Sequence, residues 1–213
     1  MRISRSILLV VAAVAAIAGG TAGKAEAKLT CDQPSERVFL RWLDPLPYFL
    51  APNGGFEAGP SGWTLAGGAR VVSGNEPFYL NSPTDRFSLL LPAGASATSP
   101  FTCASVDGLV ARAVAVASGS PLGTLQVDLV YRNDRGQLKT LALSANLAGL
   151  HFRWAPTLPI VIGASTLLNG VLNLDLSAAE VAFRFRASSG FLSSASWQIV
   201  DLYVDPWADK LGW

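Results

Sequence analysis

The sequence predicts an all-β protein, a two-sheet antiparallel sandwich, and three observations support this prediction. Several segments alternate apolar and polar residues with the two-residue period of a strand that is buried on one face. Turn-forming residues separate these segments, and the 213-residue chain contains 20 Gly and 13 Pro. A helical pattern occurs only over Gly163–Leu174, where Leu and Val recur at helical spacing although Gly170 interrupts them. We therefore expect at most one short helix.

The predicted strands follow one another along the chain with turns between them. The apolar run that begins at Phe87 ends at a Pro-Ala-Gly turn, and the Val-rich run after Gly108 has the continuous apolar character of a strand buried on both faces. The most regular alternation begins at Thr124, and an Asn-Asp-Arg-Gly turn then leads into a returning strand, which predicts a hairpin. In chain order the predicted strands are Phe87–Leu91, Gly108–Ala117, Thr124–Arg132, Leu138–Ala145, Val181–Arg186 and Ser196–Val204.

The N-terminal segment has the pattern of an export signal. Arg2 and Arg5 precede an unbroken apolar run, Ile7–Ala18, and Ala25-Glu26-Ala27 fits the rule of small residues at a cleavage site. The run is shorter than the roughly 20 apolar residues that a membrane-spanning helix needs. We expect cleavage after Ala27 and soluble secretion, either extracellular or to the cell wall; a retained signal anchor and a lipid anchor at Cys31 are the alternatives.

These signals divide the chain into four parts. We expect a signal peptide over residues 1–27, an N-terminal arm over 28–52, a single β-sandwich domain over 53–206 and a C-terminal tail over 207–213. No stretch has the composition of a linker between domains, and no segment repeats. No later apolar run escapes interruption by polar residues, Gly or Pro, so we expect no transmembrane helix in the mature chain.

The two cysteines, Cys31 and Cys103, are predicted to form a disulfide because oxidising compartments favour pairing. A loop of this length stabilises a fold by about 4 kcal/mol through the entropy of the unfolded chain. Two separately buried thiols are the alternative. A catalytic thiol is less favoured, since His151 is its single available partner and no signature surrounds either cysteine.

Composition excludes several classes of function. The formal net charge is +1, so the whole chain offers no electrostatic footprint for nucleic acid. One His and two Cys are too few for a zinc site built from those residues. The chain contains neither the Gly-x-Ser-x-Gly pattern of a hydrolase nor a phosphate-binding P-loop. We therefore predict that it is not an enzyme, while a carboxylate pair assembled by folding, as in glycoside hydrolases, remains the alternative.

Strand alternation places a group of polar side chains opposite the apolar ones. If these strands share a sheet, its outer face carries several guanidinium groups, which suit carboxylate or phosphate ligands such as those of an anionic polymer. The alternative is a solvated sheet face on which Asp128 pairs with an arginine of a neighbouring strand. The predicted ligand-binding residues on this face are Gln126, Asp128, Arg132, Arg153, Arg184 and Arg186, with His151 on the same side as Arg153.

Exposed aromatic rings are the second feature expected of a carbohydrate-binding protein, because ring faces pack on the apolar faces of sugars. Phe78 and Tyr79 lie in a turn-rich segment and are predicted to contact a ligand. Trp154 is a further candidate, although the core is the better expectation for Trp154 and Phe152, which share one face of a predicted strand. Trp63 and Trp197 are expected to be buried.

Motifs at the two ends of the domain carry a resemblance. Asn53-Gly54-Gly55-Phe56-Glu57 is followed by Gly62-Trp63, and the other end reads Trp197-Gln198-Ile199-Val200-Asp201-Leu202-Tyr203-Val204. This pair, with Gly74-Asn75-Glu76-Pro77 between, resembles the opening and closing strands of carbohydrate-binding-module jelly rolls of the galactose-binding-like group. It is also similar to secreted proteins of actinobacteria. The resemblance implies a jelly-roll sandwich that binds carbohydrate.

The resemblance also implies a structural calcium ion where the first and last strands meet. It assigns Glu57 and Asp201 as carboxylate ligands, together with backbone carbonyls near Asn53–Phe56. Calcium takes several oxygen ligands, and carbonyls count among them. The sequence departs from the family at Val200, where an Asp is usual. The alternative is that Glu57 and Asp201 accept backbone hydrogen bonds and hold no metal.

Three functional hypotheses follow. The first is a secreted, non-catalytic module that binds carbohydrate or a cell-envelope polymer. The second is a structural or adhesive surface protein without a small ligand. The third and least favoured is a hydrolase that acts on polysaccharide.

Overall fold

The computed structural model describes residues 33–104, 109–132, 136–161 and 179–205. These residues form two antiparallel sheets and two short 3-10 helices, Leu40–Trp42 and Ala148–Leu150. The predicted all-β, two-sheet antiparallel jelly-roll sandwich is confirmed. The strands are β1 (Phe49–Leu50), β2 (Thr64–Ala66), β3 (Arg70–Ser73), β4 (Phe87–Leu91), β5 (Ser96–Thr98), β6 (Thr102–Ala104), β7 (Val110–Gly119), β8 (Thr124–Arg132), β9 (Leu138–Leu147), β10 (Ala155–Pro156), β11 (Ile160–Val161), β12 (Ala179–Ala187) and β13 (Ala195–Asp205).

The first sheet has the strand order β10-β7-β13-β4-β3. The short strand β1 also pairs with β13, and β11 also pairs with β7. Its central pair, β7 and β13, is the Val-rich run and the C-terminal strand, both buried on both faces for most of their length. The register of this pair shifts between Val200 and Tyr203, at a bulge where Asp201 has a φ of 55°.

The second sheet has the order β2-β5-β12-β8-β9, and β6 pairs with the beginning of β12. The predicted hairpin of β8 and β9 is present, with a register shift between Val127 and Asp128. Strand β8 has the predicted bounds, and its residues Leu125, Val127, Leu129 and Tyr131 face the other sheet, while Val130 lies on the outer side. Because β12 pairs with β8 in register, the polar residues of both strands share the outer face.

Alternation of the strand residues builds the core between the sheets. Leu125, Val127 and Leu129 of β8 are fully buried, as are Phe183 and Phe185 of β12. The expectation for the two tryptophans is confirmed, because Trp63 is 7% exposed and Trp197 is 0% exposed.

The N-terminal arm contributes to the same core. Phe39 and Tyr48 are buried, and the Phe39 ring meets the rings of Tyr48 and Tyr203 edge-on at 5.1 and 5.7 Å. Strand β1 pairs with Tyr203 and Val204 of β13. Phe39, Tyr48 and β1 therefore anchor the arm in the sandwich, while Leu40 and Leu43 between them are exposed.

The segment around His151 differs from its prediction. Instead of a strand with His151 and Arg153 on a polar face, the chain forms a 3-10 turn and a bend, and His151 is buried against Trp197 with ring centroids 5.4 Å apart. Phe152, expected in the core, is 54% exposed, whereas Trp154 is half-buried. In a short turn the residues do not alternate regularly, so the sequence pattern cannot show which of its side chains are buried.

Several predictions fall outside the described residues. They are the signal peptide over residues 1–27, the helix over Gly163–Leu174, the tail over residues 207–213 and Cys31, the predicted partner of Cys103. Cys103 itself lies in β6, opposite Glu180 of β12. Within the described ranges, no helix is long and apolar enough to cross a membrane.

Candidate functional site

Four of the predicted binding residues come together on the outer face of the second sheet. In the pairing of β8 with β12, Arg184 lies opposite Asp128 and Arg186 lies opposite Gln126. Residues of period two share a face, so all four side chains leave the sheet on the side away from the core. We call these four residues the arginine face.

A single carboxylate organises the arginine face. Asp128 is fully buried, and its Oδ2 accepts hydrogen bonds from Nε and Nη2 of Arg184 at 3.1 and 3.0 Å. Arg186 places Nε at 2.8 Å from Oδ2 and Nη2 at 3.0 Å from Oδ1, and Gln126 donates to Oδ1 at 3.2 Å. The expected alternative, cross-strand pairing of Asp128 with arginine, is therefore present.

This arrangement leaves positive charge at the surface. Two guanidinium groups share one carboxylate, so the cluster carries a net charge of about +1 by simple charge counting. The side chains of Arg184 and Arg186 remain 34% and 43% exposed. Each guanidinium has five N–H donors, and those not directed at Asp128 are available to a ligand in a fixed orientation.

The neighbours of the arginine face are short side chains. On one side, Ser96 and Thr98 of β5 lie opposite Arg186 and Arg184. On the other side, Ala145 and Ala142 of β9 lie opposite Gln126 and Asp128. Short side chains therefore flank the two arginines in these rows of β5 and β9.

A groove of about 280 Å³ begins at Arg186 and continues toward the end of the sandwich. Its walls carry hydroxyl and amide groups and small residues, which suit the hydroxyl groups of a sugar better than an apolar ligand. The lining residues are Gly94, Ala95, Ser96, Thr124, Gln126, Arg186, Ala187, Ser188 and Ser189.

The other predicted contact residues lie elsewhere. Arg132 ends β8, where its guanidinium lies 5.5 Å from the ring centroid of Phe101 and donates to the carbonyl of Gly136 at 3.2 Å. Arg132 is four residues from Asp128, or about 13 Å along the strand. Arg153 is exposed in the bend before β10, which belongs to the first sheet. It is therefore not part of the arginine face.

The aromatic candidates also lie off this face, in the connection between β3 and β4. Phe78 is half-buried and packs edge-on against Trp42 at 5.0 Å, with the guanidinium of Arg41 4.7 Å from the centroid of each ring. Tyr79 is 55% exposed and has a φ of 54°. Of the two, Tyr79 alone presents an open ring, and it lies in a connection between two strands of the first sheet, whereas the arginine face belongs to the second.

The candidate calcium ligands have different surroundings. Glu57 is exposed, and its Oε1 accepts hydrogen bonds from the backbone N–H groups of Arg86 and Phe87 at 2.7 and 3.0 Å. Asp201 is fully buried at the β13 bulge, and neither of its oxygens accepts a hydrogen bond from any described residue. Glu57 therefore accepts backbone hydrogen bonds, as the alternative without a metal expects, whereas Asp201 accepts none from the described residues.

Asp201 lies within a cluster of acidic side chains that sequence reasoning missed. A methyl group at Gly55 would lie 3.4 Å from Oδ1 of Asp201 and 3.6 Å from Oδ2 of Asp85, so both carboxylates converge on this glycine. Asp85 and Glu76 are buried; Asp85 accepts from the Asn81 amide at 2.7 Å. Glu76 and Asp85 belong to the long connection between β3 and β4. The fold places this connection beside Asp201 of β13.

The electrostatics of this cluster favour a proton or a cation. Burial, the negative charges of Glu76 and Asp85, a hydrogen bond that the protonated Asp201 carboxyl donates to Glu76 and, to a smaller extent, the charge of Glu57 raise the pKa of Asp201 to about 8. The carboxylate of Glu76 is stabilised by the backbone N–H groups of Phe78 and Leu80. An unpaired buried carboxylate costs free energy unless a proton or a metal ion neutralises it.

The cluster fits an oxygen-ligated cation in part. Carboxylate oxygens from two or three residues and nearby backbone carbonyls are the ligand types that calcium prefers. Within the described residues, however, no three Asp, Glu, His or Cys side chains are arranged to hold a metal by themselves. A calcium ion at Asp201 would therefore take part of its coordination from backbone oxygens.

His151, the one histidine of the chain, is not placed for catalysis. Its side chain is buried between the β7 edge and Trp197, and its Nδ1 has no hydrogen-bond partner among the described residues. Burial lowers its pKa, and a hydrogen bond with the backbone of Ala115 offsets part of this effect.

No family model matches the sequence, and no curated protein matches it. Solved structures similar to the chain include the family 22 xylan-binding domain of Paenibacillus barcinonensis, at 12% identity and a TM-score of 0.45, with 71% of this chain and 90% of that chain covered. A family 16 carbohydrate-binding module matches at 13% identity and a TM-score of 0.44, with 73% and 99% covered.

Two further structures extend this group. TmCBM61 in complex with β-1,4-galactotriose matches at 14% identity and a TM-score of 0.41, covering 73% of this chain and 96% of that chain. A xylanase of Clostridium thermocellum that joins a family 22 module to a catalytic module matches at 10% identity and a TM-score of 0.48, covering 73% of this chain and 28% of that chain. These neighbours are or contain carbohydrate-binding modules.

Proposed function

We propose that this chain is a secreted, non-catalytic binding module for a carbohydrate or another cell-envelope polymer that carries acidic groups. The observation that carries the proposal is the pair of partly exposed arginine side chains held by the buried carboxylate of Asp128. Because the carboxylate fixes both groups before a ligand arrives, little side-chain entropy is lost on binding. Arginine forks of this kind match carboxylates and phosphates bidentately.

The surroundings of the arginine face support a polymer ligand. Short side chains flank the two arginines on β5 and β9, so an extended chain has room to cross the sheet. The adjoining groove offers the hydroxyls of Ser96 and Thr124 to sugar hydroxyl groups, whereas the Ser188 hydroxyl is bonded to the backbone of Thr124 and Ser193. Gln126, Asp128, Arg184 and Arg186 form the centre of the proposed site, with Arg132 as an outlying contact on β8. Tyr79 and Phe78 would serve a separate contact.

Retention on matched polymers tests this proposal. We expect polygalacturonate to retain the protein, its fully methyl-esterified form to retain it weakly, and added salt to weaken the charged interaction because ions screen exposed charges over about 8–10 Å. Equal retention on both polymers would contradict a role for the arginines. Release of reducing ends from either polymer would instead favour the hydrolase alternative, and retention on neither would favour a structural or adhesive protein.

We further propose that calcium binds at the acidic cluster around Asp201 and has a structural role. Asp201 would supply a carboxylate that accepts no hydrogen bond from the described residues. Asp85 and Glu76 would supply additional negative charge, and Glu57 would lie at the outside of the site. When bound, the ion would neutralise the buried charge and join the Gly55 loop to β13. This site lies away from the arginine face, so its occupancy would stabilise the fold without contacting the polymer.

The calcium proposal predicts a melting temperature that depends on the ion. EDTA should lower the melting temperature and calcium should restore it, since a ligand of the folded state stabilises in proportion to its affinity. Asp201→Asn should remove this response, and Asn is tolerated at the left-handed backbone conformation that Asp201 adopts. A wild-type melting temperature that is the same in EDTA and in excess calcium would contradict the proposal.

Export and the Cys31–Cys103 disulfide complete the proposed account. N-terminal sequencing of protein recovered from culture medium should begin at Lys28, and a retained Met1 would contradict cleavage.

Mass spectrometry without reductant should detect no alkylatable thiol, whereas two free thiols in freshly secreted protein would contradict the disulfide.

A further inference from the structure

One end of the sandwich exposes six large apolar side chains. They lie on the turn after β7, on the end of β9 with the 3-10 turn that follows, and on the loop between β12 and β13. Their exposed fractions range from 45% to 100%, and Phe191 is completely exposed. The six residues are Leu122, Leu147, Leu150, Phe152, Phe191 and Leu192. We call this surface the apolar end.

Backbone and hydroxyl hydrogen bonds hold the three loops together as one surface. The Ser120 hydroxyl donates to the carbonyl of Leu192 at 2.6 Å, and the Ser120 N–H donates to the carbonyl of Ser194 at 2.9 Å. The N–H of Ala148 donates to the carbonyl of Gly123 at 2.8 Å. The apolar side chains therefore project from a connected platform, where exposure to water costs free energy that a partner would recover.

The exposed charges at this end are positive; Arg186 is salt-bridged to the buried Asp128, which it shares with Arg184, so that cluster keeps a net charge of about +1. Residues 119–123, 147–152 and 188–194 contain no Asp, Glu, Lys or Arg. Arg153 follows directly after Phe152 and is exposed, and Arg186 lies just before the third loop with its side chain 43% exposed. Asp201 and Asp205 lie at the opposite end of β13, and Glu180 lies at the opposite end of β12.

We propose that the apolar end inserts into an anionic lipid surface. Apolar loop tips without charges enter the boundary between headgroups and acyl chains at low cost, and flanking cations attract anionic headgroups. The side chains protrude from separate loops rather than lining a groove, which suits a fluid surface better than a rigid partner. The rim of Arg153 and Arg186 gives the charge complementarity, and it selects an anionic over a neutral membrane.

Flotation of the purified mature protein with vesicles tests this proposal. We expect binding to vesicles of phosphatidylcholine and phosphatidylglycerol and much weaker binding to phosphatidylcholine alone. The double variant Phe191→Ser/Leu192→Ser should lower the affinity by about tenfold or more, because it removes two of the most exposed apolar side chains. Arg153→Gln should lower binding to the anionic vesicles and leave binding to the neutral ones unchanged.

The matched control lies on another part of the molecule. Leu40, the first residue of the 3-10 helix Leu40–Trp42, and Leu43, which follows that helix, are 56% and 93% exposed. Leu40→Ser/Leu43→Asn removes comparable apolar area, so it should change vesicle affinity by less than about twofold. Three results would overturn the proposal: no flotation with either vesicle, equal losses in both double variants, or a dimer that the Phe191/Leu192 variant abolishes in the absence of vesicle binding. Polysaccharide retention depends on the arginine face and is measured separately.

Discussion

Alternation predicts the face of β8 on which Asp128 lies, but it does not predict that Asp128 is buried. It lies on the outer face of β8, yet it is 0% exposed because Arg184 and Arg186 cover it from the neighbouring strand. Alternation gives the direction of a side chain, whereas burial depends on which long side chains lie across the ladder. The cross-strand register of Arg184 and Asp128 cannot be obtained from either strand alone.

Removing both arginines should therefore destabilise the protein as well as weaken binding. Arg184→Gln/Arg186→Gln leaves the buried Asp128 carboxylate without its cationic partners, and we expect a loss of about 2 kcal/mol in the free energy of unfolding, measured by urea denaturation. Adding Asp128→Asn to this variant should recover at least half of that loss. A double variant as stable as the wild type would contradict the coupling between these three residues.

His151 predicts a pH dependence of stability. Burial lowers its pKa in the folded state, so below the ordinary value of 6.5 the unfolded chain binds a proton that the folded chain does not. The contribution of His151 to the free energy of unfolding should therefore fall as the pH drops below about 6.5, until the pH reaches the folded pKa, whereas the raised pKa of Asp201 contributes the opposite trend. Asp201 is unchanged in His151→Gln, so on acidification through this interval the wild type should lose stability relative to the variant, as measured by unfolding in urea. The same acid dependence in both proteins would contradict the assignment to His151.

At the scale of elements, the long strands could be predicted and the short ones could not. Strands β4 and β8 have their predicted bounds, and β7, β9, β12 and β13 extend their predictions by a few residues or shift them. Strands β1 and β10 have two residues each, and they form because they pair with the longer strands β13 and β7. So short a segment has no periodicity, and tertiary pairing determines its conformation.

The arm that leads into β1 gives a test at this scale. Phe39 is fully buried against Tyr48 and Tyr203, so Phe39→Ala should lower the free energy of unfolding by about 3–5 kcal/mol. The neighbouring Leu40 is 56% exposed, and Leu40→Ala should change it by less than about 0.5 kcal/mol. Similar small effects for both variants, measured by urea denaturation, would show that the arm is not part of the cooperative core.

At the scale of the whole molecule, the candidate site was partly predictable. Alternation predicts that Gln126 and Asp128 share one face of β8 and that Arg184 and Arg186 share one face of β12. The pairing of β8 with β12, which brings the two faces together, comes from the fold. Arg153 lies away from them because its predicted strand is a bend. The acidic cluster was not predictable, since Glu76 and Asp85 reach Asp201 through a long connection whose path no local pattern encodes.

The central claim, that the arginine face binds an acidic polymer, is tested most directly by titration calorimetry with polygalacturonate. Arg186→Gln leaves Arg184 paired with Asp128, and it should weaken binding by about tenfold, as expected for one charge-assisted interaction. The matched control is Arg70→Gln, an exposed arginine on β3 of the other sheet, which should bind like the wild type. Equal affinities of wild type and Arg186→Gln, or equal losses in both variants, would contradict the claim.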